Sequence, residues 1–235
     1  MEAIKISIKE NLLYINDKIN EIAKNKGISS EDITLIGVTK TIDVDRINES
    51  ISLGIANIGE NKVQEIQEKY DKIKGDVKWH MIGHLQTNKV KYIIDKVELI
   101  HSLDRKSLAD EIQKRASQNN IVAKVLVQVN VAEEESKFGL KLEEAISFIE
   151  SIQNYKNIKI KGLMTMAPYE EDTEKVRFVF RELKKLFETI KEKINENVDM
   201  KYLSMGMTND YDIALEEGAN MIRVGTGVFG ERIYK

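Results

Sequence analysis

The stretch Ile33-Thr-Leu-Ile-Gly-Val-Thr-Lys40, followed at once by Thr41-Ile-Asp-Val-Asp-Arg46, decides the fold. Branched aliphatics and threonine run without alternation, as they do in a strand buried on both faces. An amphipathic helix opens directly behind it. Strand then helix, in that order, is the repeating unit of a parallel α/β sheet. Lys40 stands at the carboxyl end of the strand, the end that faces the mouth of a barrel or sheet. A lysine there is either a solvated strand-end side chain or a covalent anchor, and the rest of the chain has to choose.

The same unit repeats outward from this stretch. Before it, apolar positions at Ile4, Ile6, Ile8, Leu12, Leu13, Ile15, Ile19 and Ile22 take helical steps from Ile8 onward, and Gly27 supplies a stop. After it, a helix is predicted from Val44 to Leu53, a short strand around Ala56–Gly59 and a helix from Lys62 to Ile73. A third strand at Val77–Gly83 leads to a helix from Thr87 to Ile94. A fourth at Val97–Leu103 leads to a helix capped by Asp104 and running to Ser117. The fifth strand, Ala123–Val131, is the plainest. A polar loop over 132–137 and a helix over 142–152 follow. The sixth strand spans Ile158–Met166, with a long helix from Thr173 to about Ile194. The seventh strand, Tyr202–Met205, leads to a helix through Ile213 and Leu215, and the eighth is Met221–Val224. This count predicts a (β/α)8 TIM barrel with an additional N-terminal helix. Alternation alone leaves a doubly wound open sheet as the alternative.

Composition narrows the function classes. At 235 residues, with one proline (Pro168), scattered glycines and no low-complexity segment, a single domain over 1–235 is the economical reading. Lys+Arg 36 against Asp+Glu 39 gives a net charge of −3 with the signs interspersed, which argues against nucleic acid. The absence of cysteine rules out disulfides, thiolate metal sites and a cysteine nucleophile. No signal-peptide pattern and no run of roughly 20 apolar residues is present, so a soluble cytoplasmic protein is expected, with no membrane partner. No obvious apolar patch asks for a second subunit, and a monomer is expected.

In a barrel the chemistry collects at the carboxyl ends of the strands. Those ends carry Lys40, Gly59-Glu60-Asn61, His80, His101-Ser102, Asn130, Met164–Pro168, Ser204–Thr208 and Arg223–Gly227. Loops after strands seven and eight often build a phosphate site in this fold. Here they hold Ser204, Gly206 and Thr208 on one side and Gly225-Thr226-Gly227 on the other, small residues that let backbone amides approach a ligand. Arg223 faces the mouth and needs an acceptor, either a structural carboxylate or a ligand. A phosphate site facing a mouth lysine suits a phosphorylated aldehyde held as a Schiff base. Pyridoxal 5'-phosphate has both groups. A Schiff-base aldolase on an unrelated phosphate-binding barrel is a rival.

With these residues assembled, the chain resembles the pyridoxal phosphate homeostasis protein family, single-barrel relatives of the alanine racemase N-terminal domain. The resemblance is carried by Gly37–Lys40, Ile58–Glu65, Trp79–Lys89, Gly162–Ala167, Leu203–Thr208 and Ile222–Gly230. It implies that Lys40 is the Schiff-base lysine, that Ser204, Gly225 and Thr226 contact the phosphate, and that Arg223 reaches the pyridine nitrogen. Thr208 stands where serine is common and keeps the hydroxyl; His84 stands where proline is common. Asn61 either reaches the site or caps the following helix, and His80 either nears the ring or only makes core hydrogen bonds. In the racemase relatives a basic residue near the cofactor hydroxyl corresponds to the loop that holds Lys137.

An arginine is always protonated, so a pyridine nitrogen facing Arg223 stays unprotonated and the ring is a weak electron sink. A racemase also needs a second base, supplied in the relatives by a tyrosine of a further β domain. Tyr202, Tyr211 and Tyr234 look like packing or surface residues. The expectation is therefore a protein without catalysis that binds, buffers and hands over pyridoxal phosphate, with apo PLP-dependent enzymes as transient partners. A low-activity PLP-dependent racemase or lyase is the alternative. His80 and His84 lie on a strand and its loop, a spacing that does not suit a zinc pair.

Overall fold

The computed structural model describes residues 7–192 and 196–231. Eight parallel strands close into a barrel in sequence order, β1 to β8, with β8 pairing back to β1. They are β1 (Thr34–Val38), β2 (Asn57–Glu60), β3 (Lys78–Met81), β4 (Leu99–Leu103), β5 (Ala123–Gln128), β6 (Ile158–Met164), β7 (Val198–Ser204) and β8 (Met221–Val224). The helices are α1 (Ile8–Lys26), α2 (Val44–Ser52), α3 (Val63–Lys69), α4 (Lys106–Gln118), α5 (Ala145–Ile152), α6 (Thr173–Lys191), α7 (Tyr211–Glu216) and α8 (Thr226–Phe229). Closure disposes of the open-sheet alternative. No described helix is long and apolar enough to cross a membrane.

α1 is the predicted extra helix. Ser7 and Glu10 form a reciprocal capping box at its start, and Gly27 ends it in the left-handed conformation at φ 67°. Its stripe Ile8, Leu12, Ile15, Ile19, Ile22 is buried, and it packs on α2, α7 and α8. Ile4, Ile6, Ile194 and Tyr234 lie outside the described residues.

Several predicted boundaries move. The segment after β3 is a 3-10 helix, Thr87–Tyr92, where an α-helix over Thr87–Ile94 is predicted. α3 stops at Lys69 and tightens into a 3-10 turn, Tyr70–Lys72. Asp104 does not cap α4; Arg105 occupies that position and Asp104 pairs with its guanidinium at 2.6 Å. β7 begins at Val198, four residues before the prediction: exposed Asp199 and Lys201 alternate with buried Val198 and Met200, so this half of the strand lacks a continuous apolar run.

The period of two along each strand sorts side chains between two cores. Outward residues join the large strand–helix core. Inward residues Ile36, Leu99, Leu126, Met164 and Met221 fill the barrel itself. Gly59 is inward as well, and a Cβ there would lie 2.9 Å from Ile36 Cγ2 and 3.0 Å from Ile82 Cδ1. The barrel is packed solid below its carboxyl mouth.

Candidate functional site

Inward parity on β1 passes from Ile36 to Val38 and on to Lys40, two residues beyond the strand end. Lys40 is half-buried and lines a cavity of about 350 Å³ at the mouth. Asn61, Thr208, Arg223, Gly225 and Thr226 line the same cavity, so six of the eight expected site residues meet there. Lys137, Ile82, the Met166–Tyr169 segment and Met207–Asp210 are also among its walls.

On one side, the β7 and β8 loops are joined through Thr208. Its Oγ1 accepts the Gly227 amide at 3.2 Å and lies 3.2 Å from Thr226 Oγ1. A side chain at position 227 would strike Val224 and Thr208, at 2.7 and 3.2 Å. The turn therefore brings backbone and hydroxyls together with no bulk over them. Asn61 presents a buried Oδ1 with no hydrogen-bond partner. It does not cap α3, whose N-cap is Lys62 without a side-chain bond. A buried amide oxygen left without a donor costs on the order of 1–3 kcal/mol, a cost a ligand donor would relieve.

Ser204 and His80 do not line the cavity. Ser204 is fully buried behind Arg223, accepting from Nη1 at 2.6 Å, while Nη2 donates to the Thr165 carbonyl at 2.8 Å. Arg223 is thus held by a hydroxyl and a carbonyl, not by the carboxylate that the sequence left open. Burial pushes its pKa down to about 10, which still leaves it a cation at neutral pH. Behind Ser204 lies His101, with Nδ1 at 3.1 Å from Oγ, and His101 Nε2 is 3.0 Å from His80 Nδ1. His80 Nε2 ends the row on Asn57 Oδ1 at 3.1 Å. Burial pushes His80 down to about 3 and His101 well below its ordinary value, so both rings are neutral. With both neutral the row has one consistent direction: His80 donates to Asn57, His101 to His80, Ser204 to His101 and Arg223 to Ser204. His80 thus makes core hydrogen bonds and steadies Arg223 through two intermediaries.

One cluster escaped the sequence reading. On the outward face, Thr39 Oγ1 donates to Glu60 Oε1 at 2.7 Å, and Lys69 Nζ bonds the same oxygen at 2.8 Å. Glu60 and Thr39 are fully buried and Lys69 is 8% exposed. The signal was a lysine three residues after Ile66 on the buried stripe of α3. Desolvation, opposed by Lys69, pushes the Glu60 carboxyl from 4.5 up to about 7. The folded chain holds that proton more tightly than the unfolded chain, so its contribution is full below pH 4.5 and is lost as pH rises through about 7. In urea unfolding across pH 4 to 8, Glu60→Gln should therefore gain on wild type as pH rises, by on the order of 2–3 kcal/mol. Parallel pH profiles for the two proteins would refute the raised carboxyl.

The matching family is described as alanine racemase, N-terminal domain, and the match covers residues 20–233. The pyridoxal phosphate homeostasis protein of Aquifex aeolicus (strain VF5) is 46% identical over 226 residues, 96% of this chain and 98% of the relative. The protein of that name in Escherichia coli (strain K12) is 32% identical over 97% of both chains. Among solved structures, an unknown protein from Bifidobacterium adolescentis superposes with a TM-score of 0.90 at 31% identity, covering 94% of each chain. PipY of Synechococcus elongatus PCC7942 with PLP bound gives 0.79 at 26% identity, covering 91% of this chain and 100% of that one. Whole-length likeness of this degree, on a barrel whose mouth gathers Lys40, Asn61, Thr208, Arg223 and the Gly225 turn, makes this chain a member of the pyridoxal phosphate homeostasis protein family.

Proposed function

We propose that this chain binds pyridoxal 5'-phosphate at the barrel mouth, anchored on Lys40 as a Schiff base, and buffers it or delivers it to apo PLP-dependent enzymes in the cytoplasm. One observation carries the reading: Lys40 and the Thr208–Gly225–Thr226 corner border one cavity, and PipY, whose barrel this chain resembles, has been solved with PLP bound. The residues present suit the group. Thr208, Gly225 and Thr226 would hold the phosphate, Asn61 offers an unpartnered acceptor, and Arg223 presents a fixed cation toward a ring nitrogen. The cofactor supplies an aldehyde, which condenses with a deprotonated lysine amine with loss of one water.

Carriage is favoured over catalysis by Arg223. Its row of neutral partners holds it in place as a cation, and a ring nitrogen facing a cation stays unprotonated and withdraws electrons weakly. Tyr211 is buried, Tyr202 packs against the barrel interior, and Tyr169 at the cavity rim is 92% exposed. Tyr211 and Tyr202 do not line the cavity and Tyr169 is solvated, so none of the three combines desolvation with a place in the site.

Titration of the purified protein with pyridoxal phosphate tests the reading. A violet absorbance band should grow to one equivalent, and borohydride should fix the cofactor mass on the peptide that contains Lys40. A protein that stays colourless with excess cofactor would overturn it.

A further inference from the structure

Lys40 lies between two peptide groups that one side-chain cluster holds. The carbonyl of Thr39 accepts from Lys69 Nζ at 2.8 Å, and the amide of Thr41 donates to Glu65 Oε2 at 2.7 Å. Lys69 joins the two grips, since its Nζ also bonds that Glu65 oxygen at 2.8 Å and Glu60 Oε1 at 2.8 Å. The grips fall where the backbone is least regular. Thr41 has φ 63°, a left-handed conformation that a β-branched residue seldom adopts. Such a conformation lasts only where its surroundings over-determine it. Here the Thr41 amide is fixed by a charged acceptor, and the Thr39 carbonyl, which also accepts the Ile42 amide at 3.0 Å, is fixed by a cation.

Docking α3 on the barrel does not by itself call for these groups. Buried ion clusters are often no more stabilising than apolar side chains of the same size. What an apolar layer could not do is grip a carbonyl and an amide on either side of one residue. We propose that Glu65 and Lys69 are positioning residues for Lys40, fixing its flanking peptides so that its amine points into the cavity. The inference rests on the reading of Lys40 as the anchor.

The test uses the full chain as wild type, Glu65→Ala and Glu65→Gln. Glu65 is half-buried and Lys69 keeps Glu60, so both variants retain the buried pair. Each is mixed with pyridoxal phosphate while the growth of the Schiff-base band is followed. Binding of pyridoxine phosphate, which has the same ring and phosphate and no aldehyde, is measured alongside. Glu65→Ala should form the Schiff base about 10-fold more slowly, the scale of one lost charge-assisted hydrogen bond. Its pyridoxine phosphate affinity should stay within about 2-fold of wild type, because that ligand does not use Lys40. Glu65→Gln, which keeps an oxygen for the Thr41 amide, should recover most of the rate. A wild-type rate in Glu65→Ala would overturn the proposal. So would equal losses for both ligands, which would mark a general distortion of the cavity, or a Gln variant as slow as Ala. If wild type itself forms no Schiff base, the anchor reading is what fails.

Discussion

Lys40→Ala should abolish borohydride-stable incorporation of pyridoxal phosphate, from one equivalent per chain to none, with the visible band lost in parallel. No other described lysine takes its place at that position: Lys137 also lines the cavity, but on a loop, whereas Lys40 continues the inward parity of β1. The corner formed by Thr208, Gly225 and Thr226, the proposed phosphate site, is untouched by the substitution, so the mutant should still bind the cofactor weakly and reversibly. Lys40→Arg sharpens the result. It keeps the positive charge at the mouth and cannot condense with an aldehyde, so it should also lose the covalent label. Equivalent labelling of Lys40→Ala and wild type, located on another peptide, would sink the assignment of the anchor.

Gly162→Ala should cost far more stability than a glycine-to-alanine change at an open turn. Gly162 lies inside β6 at φ 145°, opposite Tyr202 of β7. A Cβ built there would stand 1.8 Å from the Tyr202 carbonyl oxygen and 2.7 Å from its carbon. Those are backbone atoms of a barrel strand, so no rotamer change relieves the clash. The register between β6 and β7 would have to break instead. A loss of at least about 4 kcal/mol is expected, against a total of roughly 5–15 for a typical domain, so little soluble protein should be recovered. Gly54→Ala is the control. Its φ of 107° is also unfavourable for a side chain, yet its Cβ would meet nothing within 4 Å, and about 1 kcal/mol is expected. Urea midpoints for the two variants separate backbone strain from collision; a Gly162→Ala midpoint near wild type would refute the account.

The parts of this molecule legible in sequence are those written in local pattern. Ile33–Val38 announces a buried strand, the Ile8–Ile22 stripe announces α1, and Gly225-Thr-Gly announces a turn at the barrel mouth. Lys40, Asn61, Thr208, Arg223, Gly225 and Thr226 could be gathered because strand ends converge in a closed barrel. Ser204 was read as a phosphate contact and stands behind Arg223, because sequence gives the parity of a side chain but not its depth along the barrel. His101 appeared among the strand ends without a role, since its partners His80 and Ser204 come from β3 and β7. The Glu60–Lys69 pair was missed for the same reason. Two charges nine residues apart read as solvated until the strand–helix layer closes over them.

The packed barrel interior has a consequence for traffic. Ile36, Leu99, Leu126, Met164 and Met221, with no room for even a methyl group at Gly59, make the cavity a cul-de-sac. For the carrier role proposed above, cargo must leave by the door through which it entered. A carrier of this shape cannot be reloaded while it is still unloading, so supply and delivery queue at one threshold. Its throughput then has a ceiling set by how long the door is occupied, and crowding more recipients around it will not raise that ceiling.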